Sequence, residues 1–160
     1  MRFLPNLLTV GCWNIAGIYE KVNGIKVCKL NDKTFIDTLN KFDILCLQET
    51  HTSQISTTVF NSMNNFTAIP HCRQISKNHR YFGGMLLLIR KTVRKGIKIK
   101  QNFDVDSLEI SLQKNFFGID HNINVIFTYA SPINSCYTKS RTQNILERIE
   151  SKIIDGRNTY

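Results

Sequence analysis

Asp43-Ile44-Leu45-Cys46-Leu47-Gln48-Glu49-Thr50-His51 holds four apolar residues in an unbroken run between a carboxylate and an amide–carboxylate pair. A run this short and this apolar is a strand buried on both faces, which a sheet with a covering layer on each side requires. Glu49 then stands at the carboxyl end of that strand, where side chains emerge from a rigid sheet and where ligand sites of layered α/β folds gather.

The segments around it repeat the alternation of strand and helix. Upstream, Leu7–Trp13 reads as a first buried strand, ending in Asn14 and the turn-former Gly17. Asn23-Gly24 marks a turn. Phe35, Ile36, Leu39 and Phe42 fall on one helical stripe, with Asn31 or Asp32 as the N-cap. Downstream, Thr52–Met63 reads as a weak helix, and Phe66–Ile69 as a short strand stopped by Pro70. His71–Arg80 is a polar, basic loop. Gly83-Gly84 leads into a buried strand over Met85–Ile89. Ile97–Lys100 alternates as an edge strand does, and Val105–Leu112 alternates as well. Gly118–Asn122 reads as a hairpin turn into the apolar run Ile123–Tyr129. Ile145, Ile149 and Ile153 stripe a helix over Ser140–Ile154. No internal repeat or linker interrupts the series, so the 160 residues read as one mixed α/β domain.

Composition narrows the class. Hydrophobic residues make up 42% and charged residues 21%, ordinary for a globular chain. The balance of charge is less ordinary: 21 Lys+Arg against 12 Asp+Glu give +9 at pH 7 and a pI near 9.5. Such an excess favours a polyanionic partner, since each neutralised phosphate releases counterions. The five cysteines, Cys12, Cys28, Cys46, Cys72 and Cys136, are scattered without a C-x-x-C pair, so they make neither a disulfide framework nor a zinc site. Cys12 and Cys46 lie in apolar runs and read as small core residues of an intracellular protein, nuclear or cytoplasmic. The start of the chain reads as a strand rather than a signal peptide. The longest apolar run, Met85–Ile89, is far too short to span a bilayer.

Three polar side chains end buried strands: Asn14, Glu49 and Tyr129. Mg²⁺ needs only one or two carboxylates and takes waters and substrate phosphate oxygens for the rest, a task that suits Glu49. Asn14 can orient that carboxylate or touch a phosphate oxygen, and the Tyr129 phenol can donate to a developing phosphorane oxygen. Taken singly, each has an ordinary reading too. Glu49 also suits a solvated loop, Asn14 a turn, and Tyr129 a packed ring with a wet hydroxyl.

Four segments together change that balance. Thr9-Val10-Gly11-Cys12-Trp13-Asn14-Ile15-Ala16-Gly17 resembles the opening strand of the endonuclease/exonuclease/phosphatase superfamily, with its W-N-(I/V)-x-G pattern. Asp43–His51 resembles the second motif, D-(I/V)-(L/V)-x-L-Q-E-(T/V). Tyr81–Arg90 looks like the segment with Gly-Gly before an apolar strand, and Val125–Pro132 like the strand ending in Tyr followed by Pro. All four occur in the family's order and span essentially the whole chain. The Q-E-T-H wording and the basic composition look closest to endonuclease domains of non-LTR (LINE-type) retrotransposons, with apurinic/apyrimidinic endonucleases the next branch. The resemblance implies a four-layered α/β sandwich and Mg²⁺- or Mn²⁺-dependent hydrolysis of DNA phosphodiesters. It implies Glu49 as metal ligand, Asn14 as its neighbour at the metal, and Tyr129 as the phosphate-contacting phenol.

The family's later motifs have no counterpart in these residues. G-D-(F/W)-N, whose Asp activates the water, is absent. Asp155-Gly156-Arg157-Asn158 has the wrong spacing for it. Asp120-His121 reads like the final S-D-H but precedes the Tyr129 strand, so its order is wrong, and His51, His71 and His79 read as surface residues. The expectation is therefore a sandwich incomplete at its C-terminal side, inheriting the activity in outline, so that whether it is an enzyme stays open. Two other readings stand beside it. One is a phosphatase of inositol phosphates or lipid head groups in the same superfamily. The other is a nucleic-acid-binding remnant without catalysis, using His71, Arg73, Lys77, His79 and Arg80 together with Lys91, Arg94, Lys95, Lys98 and Lys100.

Overall fold

A computed structural model describes residues 7–51, 63–71, 83–104 and 106–130, with Glu147 and Glu150 beyond them. The chain divides into two compact units, Met1–Phe127 and Thr128–Tyr160. The first unit carries, in order, β1 (Val10–Asn14), β2 (Tyr19–Val22), β3 (Ile25–Cys28), α1 (Lys33–Leu39), β4 (Ile44–Gln48), β5 (Phe66–His71), β6 (Met85–Arg90), β7 (Ile97–Asp104), β8 (Ser107–Leu112), α2 (Lys114–Phe117) and β9 (Ile123–Thr128, its last residue in the second unit). Strands pair as a four-stranded sheet in the order β1-β4-β6-β5, a β2-β3 hairpin, and a three-stranded sheet β7-β8-β9.

The four-stranded sheet is mixed. β1 runs parallel to β4, while β6 is antiparallel to both β4 and β5. Register places Leu45 and Leu47 of β4 on one face with Leu86 and Leu88 of β6 and Phe66 of β5. That face belongs to a core cluster that includes Leu30 and, from α1, Phe35 and Leu39. On the opposite face Ile44, Cys46, Leu87 and Ile89 are fully buried and Met85 nearly so. Both faces of the two central strands are thus closed to water, as the apolar runs require, and each such Leu or Ile contributes about 2 kcal/mol of transfer free energy.

α1 forms because Asp32 caps it, its side chain accepting from the Thr34 N–H at 2.7 Å, while Phe35 and Leu39 fall one turn apart on the buried side. Arg90 closes the far end of the sheet. Its Nε meets Asp43 Oδ1 at 3.2 Å and its Nη2 donates to the carbonyls of Asn40 and Phe42. Asp43 in turn accepts from the N–H and hydroxyl of Thr9. These bonds lock the exit of α1, the entry to β4 and the end of β6 together.

Several expectations change. The first strand is not buried: β1 is an edge, with Val10, Trp13 and Asn14 exposed, and Cys12 too faces water rather than the core. The helix ends at Leu39, before Phe42. Pro70 does not stop β5, which runs on to His71. As an edge strand it spares the proline's missing N–H. β8 buries all six of its residues, the polar Ser107, Glu109 and Ser111 included, because it lies between two neighbours. The Lys100 ammonium on β7 meets Glu109 at 2.7 Å. A short helix, α2, precedes the left-handed Gly118, so the β8–β9 connection is longer than a hairpin turn. The Asn23-Gly24 turn is confirmed, both residues left-handed, but it joins two strands that periodicity did not reveal. The expected Thr52–Met63 helix (Met63 apart), the basic loop past His71, and most of the Ser140–Ile154 helix lie outside the described residues. Within the last, Glu147 and Glu150 are helical. No helix among the described residues is long and apolar enough to cross a membrane.

Gly11 sits where the helix-side covering layer presses closest on β1. A Cβ there would stand 2.5 Å from Cε1 of the half-buried Phe42 ring. Gly11→Ala is expected to cost about 1–3 kcal/mol by overpacking, read from urea unfolding. An unchanged midpoint would show that Phe42 yields freely.

Candidate functional site

Parallel pairing sets the ends of β1 and β4 level, with Asn14 opposite Gln48. The ladder continues past both strands as backbone bonds between loops. Ile15 N–H donates to Gln48 O, Gly17 N–H to Glu49 O at 2.6 Å, and Ile18 N–H to Thr50 O. From the other side, Thr50 N–H reaches Gly84 O and His51 N–H reaches Gly83 O. Three segments, 14–18, 48–51 and 83–84, are thereby stitched into one edge.

That edge concentrates the left-handed backbone of the described residues. Ala16, Gly17, Glu49, His51, Gly83 and Gly84 all have positive φ, and outside this edge only the Asn23-Gly24 turn and Gly118 do. Three of the six carry side chains, each at a cost of order 1–2 kcal/mol. Such strain persists where surrounding bonds over-determine it, as the double ladder does here. Its effect is to break strand alternation at Glu49 and to present Glu49 and His51 with buried Thr50 between them.

The side chains are held in keeping with this. Asn14 is exposed, and its Oδ1 accepts from Ala16 N–H at 3.0 Å, which fixes the amide and leaves one oxygen lone pair and its NH₂ donors available by valence. The Glu49 side chain is 21% exposed, and its Oε2 lies 3.7 Å from Nε2 of His51, within ion-pair range when the imidazole is protonated. Behind them the Lys29 ammonium donates to Ile15 O at 2.6 Å, bringing a positive charge under the loop. Thr50 Oγ1 is buried with no hydrogen-bond partner among the described residues. Two rows back along the strands, Cys12 and Cys46 are register partners. Their mutual hydrogen bond draws the Cys12 thiol down to about 7 against the opposing effect of burial. The same bond and burial push Cys46 well above the ordinary thiol range.

Of the residues singled out from the sequence, Asn14 and Glu49 come together on neighbouring strand ends. Tyr129 follows β9, half-buried, and belongs to the second unit. His51, read as a plain surface residue, is exposed as expected but stands beside Glu49. Lys29 gave no sequence signal. In the basic run after β6, the Arg94 guanidinium donates to Ile97 O and Lys100 is paired with Glu109, while Lys91, Lys95 and Lys98 are exposed.

Among the described residues no three His, Cys, Asp or Glu side chains gather where they could hold a metal. Glu49 and Asn14 bring to this edge a carboxylate and an amide oxygen, both hard. Mg²⁺ and Mn²⁺ accept such a set, because they keep several waters and take phosphate oxygens as further ligands.

No protein-family model matches the chain, and no curated protein does. Among solved structures, the crystal structure of AP endonuclease LMAP from Leishmania major is similar. It superposes with a TM-score of 0.52 and 18% identity, over 94% of this chain and 47% of that one. This chain therefore spans about half the length of the protein it matches. The likeness shows the fold, an α/β fold of the endonuclease/exonuclease/phosphatase type.

Strain at the edge is measurable. Ala16→Gly is expected to raise stability by about 1 kcal/mol, since glycine adopts φ near +49° without the Cβ penalty. Gly17→Ala is expected to lower it by a similar amount or more, with φ at +96° and a Cβ only 3.4 Å from Tyr19 O. Opposite signs in paired urea melts check both, and two destabilising changes would show that Ala16 is not strained.

Proposed function

We propose that the Asn14–Glu49 edge is the metal-holding part of a phosphodiester-cleaving site that acts on DNA. One observation carries this reading: the Q-E-T-H segment and the W-N-I-A-G segment, far apart in sequence, are welded into one strained edge that sets Asn14 and Glu49 on adjacent strand ends. The AP endonuclease named above shares the fold, and the net charge of +9 suits a polyanionic substrate. Closest kinship to the endonucleases of non-LTR retrotransposons is part of the proposal, supported by the Q-E-T-H wording.

In this reading the Glu49 carboxylate and Asn14 Oδ1 hold Mg²⁺ or Mn²⁺, which when bound would neutralise charge on the phosphate and orient it. The Ala16 N–H keeps the Asn14 amide from rotating, so that its NH₂ is positioned to donate to a phosphate oxygen. His51 adds a donor beside Glu49. A water-activating Asp and a final His have no match in these 160 residues, and the loss of a general base costs 10²–10⁴-fold. A role in DNA binding alone is favoured by one specific feature, the exposed Lys91, Lys95 and Lys98.

Relaxation of supercoiled plasmid, followed with Mg²⁺ or with EDTA, tests the reading on this chain and on Glu49→Gln. Nicking is expected only with metal and to fall at least about 10²-fold in the variant. A Mn²⁺ titration, read by electron paramagnetic resonance, addresses the same residue without turnover and is expected to show at least tenfold weaker binding in Glu49→Gln. Nicking that persists in EDTA, or Mn²⁺ binding indifferent to the substitution, defeats the metal assignment. Steeply salt-dependent DNA binding in its place would select the binding role.

A further inference from the structure

Cys12 and Cys46 stand opposite one another in the parallel β1–β4 ladder. Parallel register partners point to the same face, and neighbouring strands run about 4.8 Å apart, inside the Cα separation a disulfide spans, roughly 4.4–6.8 Å. The two cysteines differ sharply in exposure: Cys12 is exposed, because β1 is the edge strand, whereas Cys46 is completely buried. Cys28 is no competitor in the fold, since it is buried in the core cluster and is paired across the hairpin with Tyr19.

We infer that Cys12 and Cys46 form a reversible redox pair, with Cys12 the residue oxidised by a hydroperoxide and Cys46 the one that resolves it. In the first step the Cys12 sulfur attacks the peroxide oxygen. An S–O bond forms and the O–O bond breaks, Cys12 is oxidised by two electrons to the sulfenic acid, and the peroxide leaves as an alcohol or water. In the second step the Cys46 sulfur attacks Cys12 Sγ. The S–S bond forms, the S–O bond breaks, and the departing hydroxide takes up the Cys46 proton as water. Two thiols and one hydroperoxide thus give one disulfide, one alcohol or water from the peroxide, and one further water. Burial keeps the oxidant from Cys46, and the ladder holds Cys46 against the only sulfur that needs it. The bond would lie two rows behind Asn14 and Gln48, about 6.6 Å along the strands, tying β1 to β4 below that edge.

The test uses the full 160-residue chain and hydrogen peroxide. After oxidation, remaining thiols are alkylated in denaturant, and the digest is read by mass spectrometry. The expected product is a Cys12–Cys46 linked peptide, reversed by dithiothreitol and in large excess over links to Cys28, Cys72 or Cys136. Cys12→Ser changes an exposed side chain and should leave the fold intact. It is expected to remove the link and leave Cys46 alkylated as a thiol. Cys46→Ser is expected to let Cys12 climb to the sulfinic acid. Recovery of Cys12 as sulfinic acid with Cys46 free in the unaltered chain overturns the inference. So does a link that forms equally well in urea-unfolded protein.

Discussion

Five residues of β1 lie beside five of β4 in parallel register, and what can be said of the site follows from that pairing. Parallel neighbours end together, so two segments more than thirty residues apart deliver Asn14 and Gln48 to the same row. An antiparallel pairing of these strands would have put Asn14 beside the Asp43 end instead. The connection needs room, and the β2–β3 hairpin and α1 supply it, α1 also covering the face where Phe35 stacks on Trp13 with ring centroids 5.0 Å apart. The crossover is thus both the link that makes the strands parallel and the layer that buries one side of the sheet.

Holding the edge beyond the strands requires a different device. Once β4 reaches Gln48 the chain must turn, and it does so with left-handed residues at Glu49 and His51 rather than with glycine. The cost is offset by carbonyls and N–H groups bonded on two sides, to 15–18 and to 83–84. Gly83-Gly84 meets that demand from its side with positive φ at both residues, a conformation glycine adopts freely. Gly83 and Gly84 accept through their carbonyls from His51 and Thr50, while Glu49 and His51 carry the side chains the turn presents. Buried Thr50 anchors the middle of the turn by its main chain, its N–H and carbonyl both bonded while its hydroxyl has no partner among the described residues.

How much of this was legible in the sequence follows from which interactions are local. The apolar runs of β4 and β6 announced strands buried on both faces, and Asp32 announced the start of α1, because composition and capping act within a few residues. Asn14 and Glu49 were found through their position at strand ends and the wording around them. What failed was long-range. Edge or centre is decided by neighbours, so the local pattern of β1 reads as buried and that of β8 as alternating, whereas β1 is exposed and β8 buried throughout. Nothing in Glu49 or His51 marks a left-handed residue, since neither is Gly or Asn. The β2 and β3 strands are four residues each, too short for periodicity to show, and only the turn between them is legible.

If the edge holds a cation as proposed, its electrostatics suit one that brings its own coordination partners. Glu49 is one carboxylate, partly withdrawn from water, with an imidazole within 3.7 Å and an ammonium tied beneath the neighbouring loop. A protein cage for a divalent ion would need more negative charge, and such charges crowded together would repel until the ion arrived. With one carboxylate and one amide oxygen no such repulsion builds up in the folded chain. On the proposed reading the remaining negative charge would come from the phosphate. Metal and substrate affinity at this edge should accordingly be coupled, each stronger in the presence of the other, as reciprocity between bound ligands demands.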